Sequence, residues 1–457
     1  MDLGRFGWRT VLGVATFAML FQQAFSYACQ MVMPVLADRL ADDFGISRGW
    51  LGLYLLIQNL FAILAAVGCG GFILRYGPLR VSQVVLFLMA GSLLVVSTGI
   101  LWLYPLGAIL LGLSAVSTPA SSHILARVCP PRLAPLIFSV KQTGVPVGSL
   151  IGGLLLPSLL GLVFYSATLG TTVRVGTYGT AIGTAIIVIG VGLLLQPIRE
   201  YFDSERRPET KLSLGDLPQT MRSVVGDPAL RDISFAAFAF GGLQSLFAGF
   251  FILYMIDGLG FSEIQAGSVY AVSSFSAIFA RIAWGVLGSS WTTPRIVLGL
   301  IGLFGGLSAL MITQLDGSWT LVEITVVAIV YNMTAISWHG ILLAETARLA
   351  PADQVGGITG GVLSFTSVAM MTYPAIYGIL LAVTDSYKTG FLLASVPAFL
   401  AFLMFMRPPL QGAWTSVFVN AGRSVLTWQG GIAAVGVTVL GLSLGLWAFS
   451  ARWWQML

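Results

Sequence analysis

Residues 70–80 read Gly-Gly-Phe-Ile-Leu-Arg-Tyr-Gly-Pro-Leu-Arg, and an echo of this stretch lies 215 residues later, where Gly285 and Arg295 repeat its first glycine and its last arginine. The tripeptide Gly-Ile-Ser at 45–47 has a counterpart at the same offset, Gly-Phe-Ser at 260–262. A register that is kept over such a distance indicates a duplicated half. The fold is therefore expected to contain two similar halves.

The composition excludes an ordinary soluble domain. Of the 457 residues, 57% are hydrophobic and only 9% are charged, whereas a soluble domain carries roughly 25% charged residues. The net charge of +5 comes from single basic residues between apolar runs, which is not the basic stripe that a nucleic acid requires. The three cysteines have no CxxC spacing, and no nucleotide-binding GxxxxGK[ST] motif occurs. We expect no cofactor, no metal and no enzyme activity.

Apolar runs long enough to cross a membrane fill most of the chain. A spanning helix needs about 20 mostly apolar residues, and helices are required because lipid offers no partner to an open strand edge. The sequence predicts an all-α membrane protein with six helices, a polar stretch, six further helices and a thirteenth near 428–449. The twelve spans are predicted near 10–36, 48–74, 79–101, 104–127, 134–160, 173–196, 230–256, 263–288, 294–314, 319–347, 354–382 and 389–406.

The polar stretch divides the chain into four parts. We predict an N-terminal six-helix bundle at 1–198, a cytoplasmic linker at 199–228, a second bundle at 229–407 and a C-terminal extension at 408–457 that holds the thirteenth helix. Basic residues concentrate in the segments that share a side with the linker, and the positive-inside rule makes that side cytoplasmic. The expected location is the cytoplasmic membrane, with the N-terminus in the cytoplasm.

Three motifs resemble a known family. The loop at 70–80 resembles the loop motif of the major facilitator superfamily, in which Gly70, Arg75, Gly77 and Arg80 fit, whereas Leu74 stands where the family has an aspartate. Ser289 takes that aspartate's place in the echo. The segments Lys-Gln-Thr-Gly-Val-Pro-Val-Gly at 141–148 and Trp-His-Gly-Ile-Leu-Leu-Ala-Glu-Thr-Ala-Arg at 338–348 resemble the bacterial cyanate-permease-like group. The resemblance implies two six-helix bundles around a central site, with Arg75, Gly77 and Arg80 at a cytoplasmic gate.

Lys141 is the strongest candidate for binding a solute. It lies ten residues past Pro131, which places it roughly 15 Å into a hydrocarbon core about 30 Å thick. A lysine at this depth costs about 2.5–3.5 kcal/mol on insertion scales, and the cost is offset where the ammonium faces a cavity and meets an anion. The alternative is a structural lysine that binds helix carbonyls or an acidic neighbour.

Other polar residues of the spans are candidates for the same cavity. The histidines His123 and His339 lie 216 residues apart at nearly equivalent places, and a histidine can couple protons because it titrates near neutral pH. The alternative for each is a neutral ring bonded across a helix interface. The other candidate substrate-binding residues, for which bonding between helices is likewise the alternative, are Gln142, Gln30, Tyr27, Gln58, Asn332 and Trp338.

Arg281 and Glu345 carry opposite charges near the same end of their spans, and the resemblance implies a gating network of both with Arg348. The predicted function is secondary transport of a small, anionic solute by a monomer in the lipid bilayer, with a proton as candidate coupling ion. Two alternatives stay open: an exporter of amphipathic compounds, and a membrane sensor or assembly factor that kept the fold but lost transport.

Overall fold

A computed structural model describes residues 7–46, 50–166, 171–210, 212 and 216–407, and the part up to Phe405 belongs to one compact unit. Within the described residues, twelve segments are long and apolar enough to cross a membrane. Most of them begin and end within four residues of the predicted spans, while the first and sixth extend further, to Phe44 and Phe202. The predicted helical membrane fold is confirmed. The predicted thirteenth helix, near 428–449, lies outside the described residues.

Several spans consist of two shorter helices in sequence. The α-helices of the described residues are, in chain order, α1 (Trp8–Gln30), α2 (Val32–Phe44), α3 (Trp50–Tyr76), α4 (Pro78–Ser97), α5 (Tyr104–Leu113), α6 (Ser117–Val128), α7 (Ala134–Gln142), α8 (Gly144–Gly161), α9 (Gly176–Leu194), α10 (Arg199–Phe202), α11 (Asp216–Gly226), α12 (Pro228–Leu253), α13 (Glu263–Ser290), α14 (Pro294–Gln314), α15 (Leu321–Ala335), α16 (His339–Leu349), α17 (Val355–Thr384) and α18 (Tyr387–Met406).

A small hairpin between α8 and α9 was not anticipated from the sequence. Strand β1 (Val163–Ser166) pairs antiparallel with β2 (Thr171–Arg174), and Val163 lies opposite Arg174. Both strands are rich in the β-branched and aromatic residues that favour a pleated strand. Long apolar runs predict membrane spans but not these strands, because each strand is far shorter than a span.

Breaks in the helical path fall at related places in the two halves. A 3₁₀ turn at 114–116 separates α5 from α6, and residues 336–338 separate α15 from α16. In the fifth span the break between α7 and α8 is at Thr143. A break frees backbone carbonyls, and at membrane depth such groups are tolerated only where protein buries them or where they line a cavity. The candidate functional site lies at the same depth in the bundle as these breaks.

The two halves meet closely at one end of the bundle, which we call the linker end because the linker helix α11 packs there. A Cβ on Gly70 of α3 would lie 3.2 Å from the Cα of Gly357 on α17, and one on Gly360 would overlap the carbonyl oxygen of Ala66. Gly340 of α16 approaches Ser139 of α7 equally closely. Small residues permit such approach between membrane helices, so this end is closed.

The linker helix α11 covers the closed end on both halves. Leu217 lies against Gly68 of α3, and Val224 lies against Gly361 of α17. Val224 is fully buried. The linker therefore packs against both halves rather than only connecting them.

Replacement of Gly360 by valine is expected to open the linker end, since the new side chain would collide with the Ala66 carbonyl. Cys69 can report the opening because it is 1% exposed and its thiol lies 3.6 Å from the Gly356 carbonyl across the same interface. With Cys29 and Cys129 replaced by alanine, maleimide labelling of Cys69 should rise about tenfold, which corresponds to a shift of about 1.4 kcal/mol between the two states.

The matched control is Gly378→Val on the same helix, where an added Cβ meets no atom within 4 Å. It introduces the same residue into α17 without the collision, so Cys69 labelling should stay at the level of the parent protein. Equal labelling in the Gly360 and Gly378 variants would contradict a glycine-dependent closure.

Candidate functional site

Two buried cations from different spans lie close together in the middle of the bundle. Lys141, at the end of α7, and Arg281, on α13, are each 1% exposed. The Lys141 Nζ donates to the Gln23 Oε1 of α1 at 2.7 Å. The Arg281 guanidinium donates through Nη1 to the Gln142 carbonyl at 2.6 Å and through Nη2 to the Ile336 carbonyl at 3.1 Å. The break of the tenth span thus supplies one acceptor and the end of α7 the other.

The acceptors of both cations are electrically neutral. Among the described residues, no carboxylate forms an ion pair with Lys141 or Arg281, and the Arg281 Nε has no hydrogen-bond partner. Buried charges are normally paired because burial removes their hydration. Two buried basic side chains whose partners are dipoles rather than carboxylates form a candidate site for an anion.

The first span adds polar groups beside the cations. Gln23 also accepts from the Thr118 hydroxyl at 3.3 Å, and the Gln22 amide donates to the Ser117 hydroxyl at 2.6 Å. The Gln22 Oε1 and the Ser26 hydroxyl are buried without partners. Buried polar atoms without partners are uncommon and call for an explanation such as water or a ligand.

Tyr27, a predicted site residue, also lies in this region. Its hydroxyl lies near Ser149 of α8 and near the Arg281 guanidinium. The structure thus brings Tyr27, Lys141 and the Gln142 carbonyl near one another. Gln23 and Arg281 lie with them, although Arg281 was predicted to belong to the gate.

His339 lies near Lys141 and Arg281, and Trp338 packs against its ring. The two rings stack with centroids 3.6 Å apart, and Trp338 packs against Phe240 of α12. The His339 Nδ1 is buried without a hydrogen-bond partner, and Arg281 and Lys141 are the charged groups that act on the ring.

Other predicted residues lie apart from the cations. The charged groups around His123 are Arg127, Glu205 and Asp353, so the two histidines occupy different surroundings in spite of their equivalent positions. The Asn332 amide donates to the Ala328 carbonyl of its own helix at 3.0 Å. Gln30 and Gln58 are half-buried, and no hydrogen bond described for this part of the chain joins them to the cations.

The gating pair expected between Arg281 and Glu345 is not formed in this state. The Glu345 carboxylate is held instead by Arg348, whose Nε and Nη2 donate to it at 2.7 and 2.6 Å. Residues three apart on a helix are neighbours, so Arg348 reaches Glu345 easily. The Arg281 guanidinium is already engaged by two carbonyls.

At the linker end, Asp203 supplies a carboxylate to the loop that lacks one at Leu74. Asp203 is 4% exposed and accepts from the backbone amides of Leu79 at 2.8 Å and Arg80 at 3.0 Å. Gly77 has φ of 93° and an added Cβ there would overlap the Asp203 side chain, so the position requires glycine. Burial raises the pKa of the Asp203 carboxyl, although the two amide bonds oppose the rise. The carboxylate that caps the start of α4 therefore comes from the end of the sixth span.

Arg75, which was predicted for the gate, connects the end of α3 to the linker. The Arg75 Nη1 donates to the Thr210 carbonyl at 3.1 Å, and the Arg207 backbone amide of the linker donates to the Leu74 carbonyl at 2.8 Å. Arg80, the other arginine predicted for the gate, contributes its backbone amide to the bond with Asp203.

In the echo of the loop, Ser289 makes a cap between the halves. Its hydroxyl accepts from the Leu136 amide in the first turn of α7 at 3.0 Å. The loop motif identifies position 289 as the aspartate's place, but nothing in the residue spacing indicates Asp203 as the carboxylate of the other half.

Similarity to known proteins is found over most of the chain. Residues 12–360 match the sequence model of the Major Facilitator Superfamily. The agnestins efflux protein AgnL12 of Paecilomyces divaricatus is 25% identical over 384 residues, which cover 82% of this chain and 77% of that protein. The probable galactarate/D-glucarate transporter GudP of Bacillus subtilis (strain 168) is 23% identical over 215 residues, 45% of each chain.

The fold is similar to that of FucP, a transporter of this superfamily solved in the outward conformation. The TM-score is 0.66 at 14% identity, and the match covers 85% of this chain and 97% of that one. The finer resemblance to the cyanate-permease-like group stays a prediction.

Replacement of Asp203 by alanine should destabilise the protein, because it leaves two buried amides at the start of α4 without an acceptor. Loss of a helix cap costs about 1 kcal/mol, so the apparent melting temperature of the detergent-solubilised protein should fall by a few degrees. The control is Asp353→Ala, which removes an exposed carboxylate 3.5 Å from Arg207 at the same end. An equal fall in both variants would argue against a specific cap.

Proposed function

The chain belongs to the major facilitator superfamily, and on this premise we propose that it carries a small anionic solute across the membrane by alternating access of its two halves. It is a multi-pass membrane protein and a transporter rather than an enzyme. The proposal concerns the solute's charge, the binding residues and the direction in which the site opens.

The observation that carries the proposal is the pair of buried cations with neutral partners. Lys141 and Arg281 are held by a side-chain amide and by two backbone carbonyls, and these dipoles only partly replace lost hydration. A carboxylate or another anion between them would supply the missing charge, and arginine can bind a carboxylate through two parallel hydrogen bonds. Tyr27 would complete the set of groups that bind the anion.

The closed linker end supports an assignment of the conformational state. The distribution of basic residues supports a linker and an N-terminus on the cytoplasmic side of the cytoplasmic membrane, by the positive-inside rule. Because the halves are in contact at the linker end, this state is closed to the cytoplasm, and the solute would enter from outside. The bundles at 1–198 and 229–407 would be the two bodies that rock against each other.

The relatives suggest a class of anion and a second candidate function. Galactarate and D-glucarate, named for the Bacillus relative, are dicarboxylates, which suits a site with two cations. Similarity to the agnestins efflux protein favours the alternative of an exporter of amphipathic compounds. The two candidates differ in whether binding depends on a negative charge.

A thermal-stability screen of the purified protein tests the proposal, since a ligand that binds the folded state stabilises it by about 2.7 kcal/mol at a hundredfold excess over Kd. The probes are D-glucarate, galactarate, pyruvate, acetate and cyanate, with D-glucose as an uncharged counterpart of D-glucarate. We expect at least one anion to stabilise the protein and D-glucose to have no effect.

Lys141→Gln and Arg281→Gln should each abolish the stabilisation by the anion and its uptake into proteoliposomes. The matched control is Arg295→Gln, because Arg295 also donates to backbone carbonyls, those of Met404 and Phe405, but lies outside the site. Stabilisation by anions that persists in both site variants would refute the anion site. Stabilisation only by uncharged amphipathic compounds would favour the exporter.

A further inference from the structure

His339 is a titratable side chain of the site. Binding of an anion does not by itself give this side chain a role. It begins α16 directly after the break at 336–338, and one face of its ring is covered by Trp338. Its Nδ1 is buried and has no hydrogen-bond partner. A buried nitrogen in this position is either a cost to the fold or a group that acquires a partner during function.

Burial and the charges around His339 both bear on whether the ring can hold a proton. Lys141 from α7 and Arg281 from α13 act on the ring, and Glu345 on its own helix is already held by Arg348. Protonation of the ring in the empty site would add a third positive charge to two buried ones, which like-charge repulsion opposes. An anion between the cations removes that opposition.

We propose that His339 is the proton-binding group of the transport cycle, and that it takes up a proton when an anion binds beside Lys141 and Arg281. The proposal rests on the proposed anion site and adds its coupling ion. The lone pair of the neutral imidazole accepts a proton from solvent as the anion binds, and the ring returns the proton to solvent when the anion leaves. By linkage, the proton must strengthen anion binding by the same factor by which the anion strengthens proton binding.

The test measures protons and anion binding together. The purified protein is titrated in weakly buffered solution containing a pH indicator, with D-glucarate or whichever of the other four anions stabilises it most. The carboxylate probes stay ionised from about pH 6 to about pH 9, so their own titration does not contribute. Wild type should take up close to one proton per bound anion. Its affinity should fall as pH rises, by up to about tenfold per pH unit, the limit for one coupled proton.

In His339→Gln, which keeps a polar side chain that does not titrate, the anion should still bind, without proton uptake and with an affinity independent of pH. The control is His123→Gln, which removes the other histidine of the chain and should keep the proton uptake of wild type.

Three results would overturn the proposal. Anion binding to wild type without proton uptake would remove the proton site and leave the anion site intact. Proton uptake that persists in His339→Gln would assign the proton to another group, of which Lys141 is the first to consider. No binding of any of the five anions to wild type would refute the anion site and the proton site together.

Discussion

The structure depends on one constraint: a charge that is buried inside a membrane protein must find a partner. Lys141 and Arg281 are each 1% exposed, and both are held by oxygen atoms that carry only partial charge. Such dipoles position a cation without neutralising it. The same breaks that weaken the fifth and tenth spans supply the carbonyls, so the irregular backbone and the buried charges stabilise each other.

The bonds of Arg281 would also connect the proposed anion site to the proposed rocking of the halves. Arg281 belongs to the second half of the chain, whereas its acceptor Gln142 belongs to the first, so this 2.6 Å bond bridges the halves. The other acceptor, Ile336, moves with the half that carries Arg281. If the halves rock, the bond to Gln142 must lengthen or break, and an anion bound to the guanidinium would replace what is lost. Binding and rocking are then coupled through one side chain.

Sequence patterns were sufficient for the spans and for part of the site. Apolar length predicted the twelve crossings because lipid leaves helices as the only solution, and the depth of Lys141 indicated a buried cation before any contact was known. Three-dimensional partners were not accessible in this way. That Arg281 binds carbonyls rather than Glu345, and that Asp203 caps α4 from a distance of 124 residues along the chain, depends on how helices pack and not on residue spacing.

The duplicated register explains the scaffold better than it explains the chemistry. Gly70 and Gly285 occupy equivalent places and both allow close approach between halves. The polar positions diverge: Ser289 caps a helix across the halves, whereas its counterpart Leu74 cannot. His339 lies beside two cations while His123 lies near the linker, and Lys141 has only the buried Ile358 as its counterpart in the second half. In the proposed transport cycle, symmetry is retained where the two halves would slide past each other. It is lost where the solute would be bound, because a single ligand cannot contact both halves in the same way.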